Sequence, residues 1–116
     1  MKENIIRDKS FQFALKIMTL SKELQMQRAI VLSRQVLRAG TSIGANIEEA
    51  IGAFSKSDFT YKMNISLKEA HETHFWLRLL DKSDYEISDL RVVMKDCLEL
   101  VTILSAIVKT SKQKNQ

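Results

Sequence analysis

The chain contains no proline, and its three glycines all fall within one short stretch, GTSIGANIEEAIG at 40–52. Turns draw on Gly, Pro, Asn and Asp. A sequence of 116 residues this poor in breakers has room for few turns and must be built from long helices. That length points to one domain spanning 1–116.

Apolar periodicity divides the chain into four helical segments, expected at about 8–21, 25–54, 58–80 and 88–110. In the first, Phe11, Ala14, Leu15 and Met18 fall on one face, with Asp8 or Ser10 as the cap and a break near SKEL at 21–24. In the second, Ala29, Val36, Ile43 and Ala50 repeat every seventh residue beside Leu32, Ala39, Asn46 and Ala53. This register runs straight through the glycines, which argues against a loop there. Ser55 to Ser57 form a polar break and an N-cap. Met63, Leu67, Ala70, His74 and Leu77 make the third stripe. Ser83 with Glu86 resembles a capping box for the fourth helix, with Ser88 as a rival. Leu90, Met94, Cys97, Val101, Leu104 and Val108 make its stripe, and the tail TSKQKNQ reads as frayed. Short connections force antiparallel neighbours, so the expected fold is an all-α, up-down-up-down four-helix bundle.

A glycine inside a helix costs about 1 kcal/mol relative to alanine, so the three glycines need a reason. Gly40 and Gly44 are spaced G-x-x-x-G on one side of the helix, where small residues let another backbone come close. A local kink is the alternative. A phosphate cradle is excluded, because neither G-x-x-x-x-G-K-[ST] nor G-x-G-x-x-G is present and no strand precedes the stretch. Ser42, Asn46 and Glu49 share a stripe, with Asn46 on the core side. A buried Asn needs partners and commonly fixes register or oligomeric state, and Glu72 of the third helix is one candidate partner.

These residues carry a resemblance. RAGTSIGANIEEA followed by SKSDFTYKMNISLKEAHETHFWLRLL resembles the four-helix bundle family of 23S rRNA intervening-sequence proteins, over about residues 4–110. The family motif Ser-Ile-x-x-Asn-Ile-x-Glu is matched by Ser42, Ile43, Asn46, Ile47 and Glu49, and Phe59 and Glu72 match positions in the third helix. Many members have Pro where this chain has Gly44 and Gly where it has Ala50, a departure shared by a subgroup. The resemblance implies a homopentameric bundle. It also implies kinship with the basic accessory protein of diversity-generating retroelements, which binds a reverse transcriptase and nucleic acid. It implies no established activity.

Motifs for catalysis are weak. HETH at 71–74 places two histidines three apart, one residue short of H-E-x-x-H. Lys68 and His71 occupy the positions where di-iron bundles carry the Glu of Glu-x-x-His. Cys97 lies mid-stripe and reads as a structural thiol. Ser42 lacks the strand-to-helix elbow of G-x-S-x-G enzymes. We therefore expect no enzyme, no cofactor and no metal, with a metal-dependent enzyme on a ferritin-like bundle as a distant option. A lone cysteine, the absence of an apolar leader in MKENIIRDKS and the absence of a bilayer-length apolar run fit a cytoplasmic protein with no membrane segment.

The formal charge of +4 is concentrated at the front. Residues 1–38 hold eight Lys/Arg against three Asp/Glu, a local +5, which favours a polyanion partner. Arg28, Arg34 and Arg38 are the strongest candidates, since no acid lies between Glu23 and Glu48, and Lys9 and Lys16 extend the patch. Aromatic residues are sparse there, so contacts would be to phosphates and salt-sensitive. Val93, Leu100, Ile103 and Ile107 form a second apolar strip on the fourth helix, expected to bury against another subunit. The expected function is a non-enzymatic homo-oligomer presenting basic surface to RNA or an RNA-associated protein. The alternative is a protein-assembly module with no nucleic-acid role.

Overall fold

A computed structural model describes residues 2–114, as four helices: α1 Lys2–Met26, α2 Ile30–Ile51, α3 Lys56–Asp81 and α4 Leu90–Lys114. Bonds between helices fix their directions. Arg7 meets Glu48 and Ser21 meets Ser33, so α1 and α2 run antiparallel. Glu49 meets Lys62 and Arg38 meets Glu69, which reverses α3 on α2. Thr60 meets Ser111 and Asp81 meets Arg91, which reverses α4 on α3. Lys9 with Glu99 and Lys16 with Asp96 close the ring between α1 and α4. The result is an up-down-up-down bundle 48 Å long and 20 Å across.

The core is one stripe from each helix. Ile6, Phe13, Ile17, Leu20 and Leu24 come from α1, and Val36, Ile43 and Ile47 from α2. Met63, Leu77 and Leu80 come from α3, and Cys97, Leu100 and Leu104 from α4. Each large apolar side chain contributes about 1.5–3 kcal/mol on full burial. Ala29, Val36, Ile43 and Ala50 are all buried, as their seven-residue repeat requires. Ser55 caps α3 by accepting from the Asp58 backbone N–H at 3.0 Å.

Three sequence expectations are corrected. In α1 the buried face is not the one through Phe11, Leu15 and Met18; Phe11 is 61% and Met18 56% exposed. Both faces satisfy helical spacing, and the β-branched and aromatic residues at 6, 13 and 17 take the interior. The break between the first two helices lies at 27–29 rather than near 21–24. Ser21 is buried and its hydroxyl meets that of Ser33 at 2.6 Å, so this serine joins helices instead of ending one.

The third correction concerns α4. Val93, Leu100 and Ile107 are 3%, 1% and 7% exposed, inside the bundle of a single chain, and Ile103 packs partly against that core. The strip assigned to another subunit is thus core. Leu90, Met94 and Val101, expected at the centre, flank it half-buried. Neither serine caps α4. Ser83 donates back to the Leu80 carbonyl at 2.7 Å, and the Ser88 N–H donates to Glu23 Oε2 at 2.8 Å. Val93 N–H instead reaches the Asp89 carbonyl at 3.0 Å. Helix α4 continues to Lys114, well into the tail expected to fray; residues 115–116 lie outside the described range.

Candidate nucleic-acid interface

Of the five expected phosphate contacts, three are engaged within the chain. Lys9 Nζ lies 3.0 Å from Glu99 and Lys16 Nζ 2.5 Å from Asp96. Arg38 reaches across to Glu69 at 3.3 Å and also to Glu72. The first half of α2 lacks acids of its own, but α3 lays two beside it, so the face is not uniformly positive. Arg34 is exposed on α2 and makes no ion pair among the described residues. Arg28 stands in the turn between α1 and α2, exposed, with φ 65°.

The motif residues follow the α2–α3 boundary. Ser42 Oγ donates to the Arg38 carbonyl at 2.7 Å, and Asn46 Nδ2 donates to the Ser42 carbonyl at 2.8 Å. Glu49 pairs with Lys62 at 3.0 Å, and the Lys62 ammonium is raised above its ordinary value by the hydrogen bond and charge of that carboxylate. Glu72 accepts from Trp76 Nε1 at 3.0 Å and from Arg38. Asn46 is half-buried, its amide donates within its own helix, and Glu72 is not its partner. Phe59 packs partly buried against the core.

A second row of cations lies on the outer side of α3, which spacing alone places together. Lys68, His71, Phe75, Arg78 and Lys82 are all exposed and separated by three, four, three and four residues, one continuous helical ridge. Lys68, Arg78 and Lys82 make no ion pair among the described residues. The Arg78 guanidinium sits 5.9 Å from the Phe75 ring centroid, and Phe75 stands edge-to-face on Trp76 at 5.2 Å. His74, one turn in from the ridge, is held below its ordinary value by burial and by the nearby charges of Arg78 and His71. Beside the ridge, Phe75, Arg78, Leu79, Asp81, Lys82 and Met94 line a groove of about 460 Å³. This row lies off the apolar stripe of the third segment, and its three-four spacing is its signal in the sequence.

Among the described residues no group of three or more His, Cys, Asp or Glu side chains is placed to hold a metal ion. Burial pushes the Cys97 thiol up to about 12. No described helix is long and apolar enough to cross a membrane.

Taken together, the geometry defines an antiparallel four-helix bundle with a basic outer ridge on α3. The chain belongs to the 23S rRNA-intervening sequence protein family, whose model matches residues 2–106. It is similar to a crystal structure from Bacteroides thetaiotaomicron described as a protein of unknown function from the S23 ribosomal protein family. The two share 46% identity with a TM-score of 0.88, over 94% of this chain and 99% of that one. No curated protein matches the chain.

Proposed function

We propose that this protein is a non-enzymatic, homo-oligomeric helical bundle of the cytoplasm that binds RNA, or an RNA-associated protein, through basic surface. The observation that carries the reading is the set of exposed cations that make no ion pair among the described residues, Arg28 and Arg34 among them. In a chain of net charge +4, such cations favour a polyanion and release its counterions on contact. Oligomerisation is supported by the outer face of α1, where Phe11, Leu15 and Met18 stay exposed on successive turns. A helix of a small monomeric bundle keeps that face polar. Five subunits is the number implied by kinship with the family.

The test is RNA binding by the purified protein at increasing salt. Affinity that falls steeply with salt supports the reading, and absence of binding at low salt defeats it. Light scattering with inline chromatography measures the assembly; a 13.3 kDa species rejects the oligomer. A second reading, a protein-assembly module with no nucleic-acid role, is favoured by the internal pairing of Lys9, Lys16 and Arg38. It predicts a stable oligomer that ignores RNA.

A further inference from the structure

We infer that the outer ridge of α3 is a track for single-stranded nucleic acid, with Phe75 as a base-stacking platform and Lys68, Arg78 and Lys82 as phosphate contacts. The inference rests on the RNA-binding reading above and moves its site from α2 to α3.

Three observations converge. The ridge from Lys68 to Lys82 contains no acid on its three-four register, and it extends the other way through Asn64 to exposed Tyr61. Fourteen residues of helix span about 21 Å, enough for several consecutive nucleotides of an extended strand. The one acid lining the adjoining groove, Asp81, is mostly covered and lies 3.4 Å from Arg91. Its charge is therefore committed elsewhere. On α2, by contrast, Arg38 is committed to Glu69 and Glu72.

The ring supplies what α2 lacks. Phe75 is 45% exposed, in edge-to-face contact with Trp76 and with the Arg78 guanidinium over its ring. An aromatic set between cations matches how single strands are held: the charges follow the backbone and the ring takes a base, with little sequence preference. A duplex keeps its bases stacked inside and offers this ring nothing. An acidic protein segment would satisfy the charges without using the ring.

The experiment uses the intact protein in its native assembly and a fluorescein-labelled oligouridine as probe. Duplex RNA and polyglutamate are competitors. The triple variant K68Q/R78Q/K82Q should lose at least tenfold in affinity, and its salt slope should fall by about two, near 0.7 per lost phosphate contact. Phe75→Ala should lose about fivefold or more, as expected for one stacked base, with the slope unchanged. Circular dichroism confirms that both variants remain helical, as changes on an exposed ridge should allow. Oligouridine binding that survives the triple variant overturns the α3 assignment and leaves the RNA-binding reading standing. Polyglutamate competing as well as RNA, or Phe75→Ala binding like the wild type, overturns the stacking track. No oligouridine binding by the wild type sinks both readings.

Discussion

Gly40 of α2 lies directly against Ile17 of α1: a β-carbon at Gly40 would stand 2.7 Å from Ile17 Cγ1 and 2.8 Å from its Cγ2. Ile17 is fully buried and branched at its β-carbon, so its γ carbons cannot swing clear. Gly44, one turn on, is different. Its β-carbon would meet Ser10 Oγ at 3.4 Å, close to ordinary contact. The G-x-x-x-G spacing therefore makes room not for another backbone but, at Gly40, for the Ile17 side chain of the same chain, and Gly44 has space for a β-carbon.

The two glycines should respond oppositely to alanine. Gly40→Ala gains about 1 kcal/mol of helix propensity but forces Ile17 and the α1 backbone apart, an overpacking that typically costs about 1–3 kcal/mol. We expect net destabilisation. Gly44→Ala keeps the propensity gain against a small adjustment of Ser10, so it should be neutral or stabilising by up to about 1 kcal/mol. Urea unfolding of the two variants checks this; equal shifts would contradict the geometry.

A buried serine pair joins the same two helices. Ser33 Oγ donates to the Ser21 carbonyl at 2.9 Å while the two hydroxyls meet at 2.6 Å. Each hydroxyl also has the other serine's backbone carbonyl within reach, Ser33 Oγ on Ser21 at 2.9 Å and Ser21 Oγ on Ser33 at 3.3 Å, so replacing either serine by alanine strands nothing and removes only bonds worth about 0.5–1.5 kcal/mol each. The bond between the two hydroxyls is lost once in the double variant but counted in both singles. A double-mutant cycle should therefore show a coupling of about 0.5–1.5 kcal/mol, and simple additivity would argue that the pair is uncoupled.

Cys97 is fully buried, with its thiol donating toward the Ala70 carbonyl at 3.4 Å. Burial raises the folded thiol from its ordinary 9.0 to about 12. A raised value means that the neutral thiol is favoured in the folded state. Its contribution is fully present below pH 9 and is lost as pH climbs toward 12. The stability difference between wild type and Cys97→Ala should therefore shift steadily against the wild type above pH 9. Below that, alkylation by iodoacetamide should proceed only as fast as the protein opens. Rapid labelling of folded protein would show the thiol to be accessible.

How legible was this in the sequence? The architecture was, because periodicity and the scarcity of breakers constrain every turn. The faces were less so. Helix α1 carries two apolar stripes, through Ile6, Phe13 and Ile17 and through Phe11, Leu15 and Met18, and both obey the same spacing. Only the partner helices decide which goes in. The same holds on α4, where Val93, Leu100 and Ile107 went into the core. Charges were hardest to read. Nothing in the α2 sequence reveals that Arg38 will find Glu69 and Glu72, residues some thirty positions away.

Asn46 follows from that lesson. Its placement on the core stripe suggested a hub between helices, whereas its amide bonds within α2. Asn46→Leu should change stability by less than about 1 kcal/mol, since a half-buried amide gives way to a leucine of the same branching without orphaning an interhelical partner. A loss of several kcal/mol on thermal unfolding would restore the hub.

Arg28 joins backbone strain to the proposed function. Helix α1 ends with the Arg28 N–H on the Gln25 carbonyl and the Ala29 N–H on the Leu24 carbonyl, each at 2.9 Å. This is the Schellman arrangement, whose left-handed residue is usually glycine. Here it is arginine, at φ 65°, a conformation that costs an L-residue about 1–2 kcal/mol. Arg28→Gly removes that cost, though a more flexible unfolded chain takes back about 0.4–1 kcal/mol. The net expectation is a gain of up to about 1.5 kcal/mol. Arg28→Ala keeps the strain and gains nothing comparable, so the two variants separate strain from charge. Both delete the same cation. If Arg28 touches phosphate, both should weaken RNA binding equally and lower the salt slope by about 0.7 for a single strand, while only the glycine variant melts later. Equal melting temperatures would remove the strain argument, and unchanged RNA affinity in both would remove Arg28 from the interface.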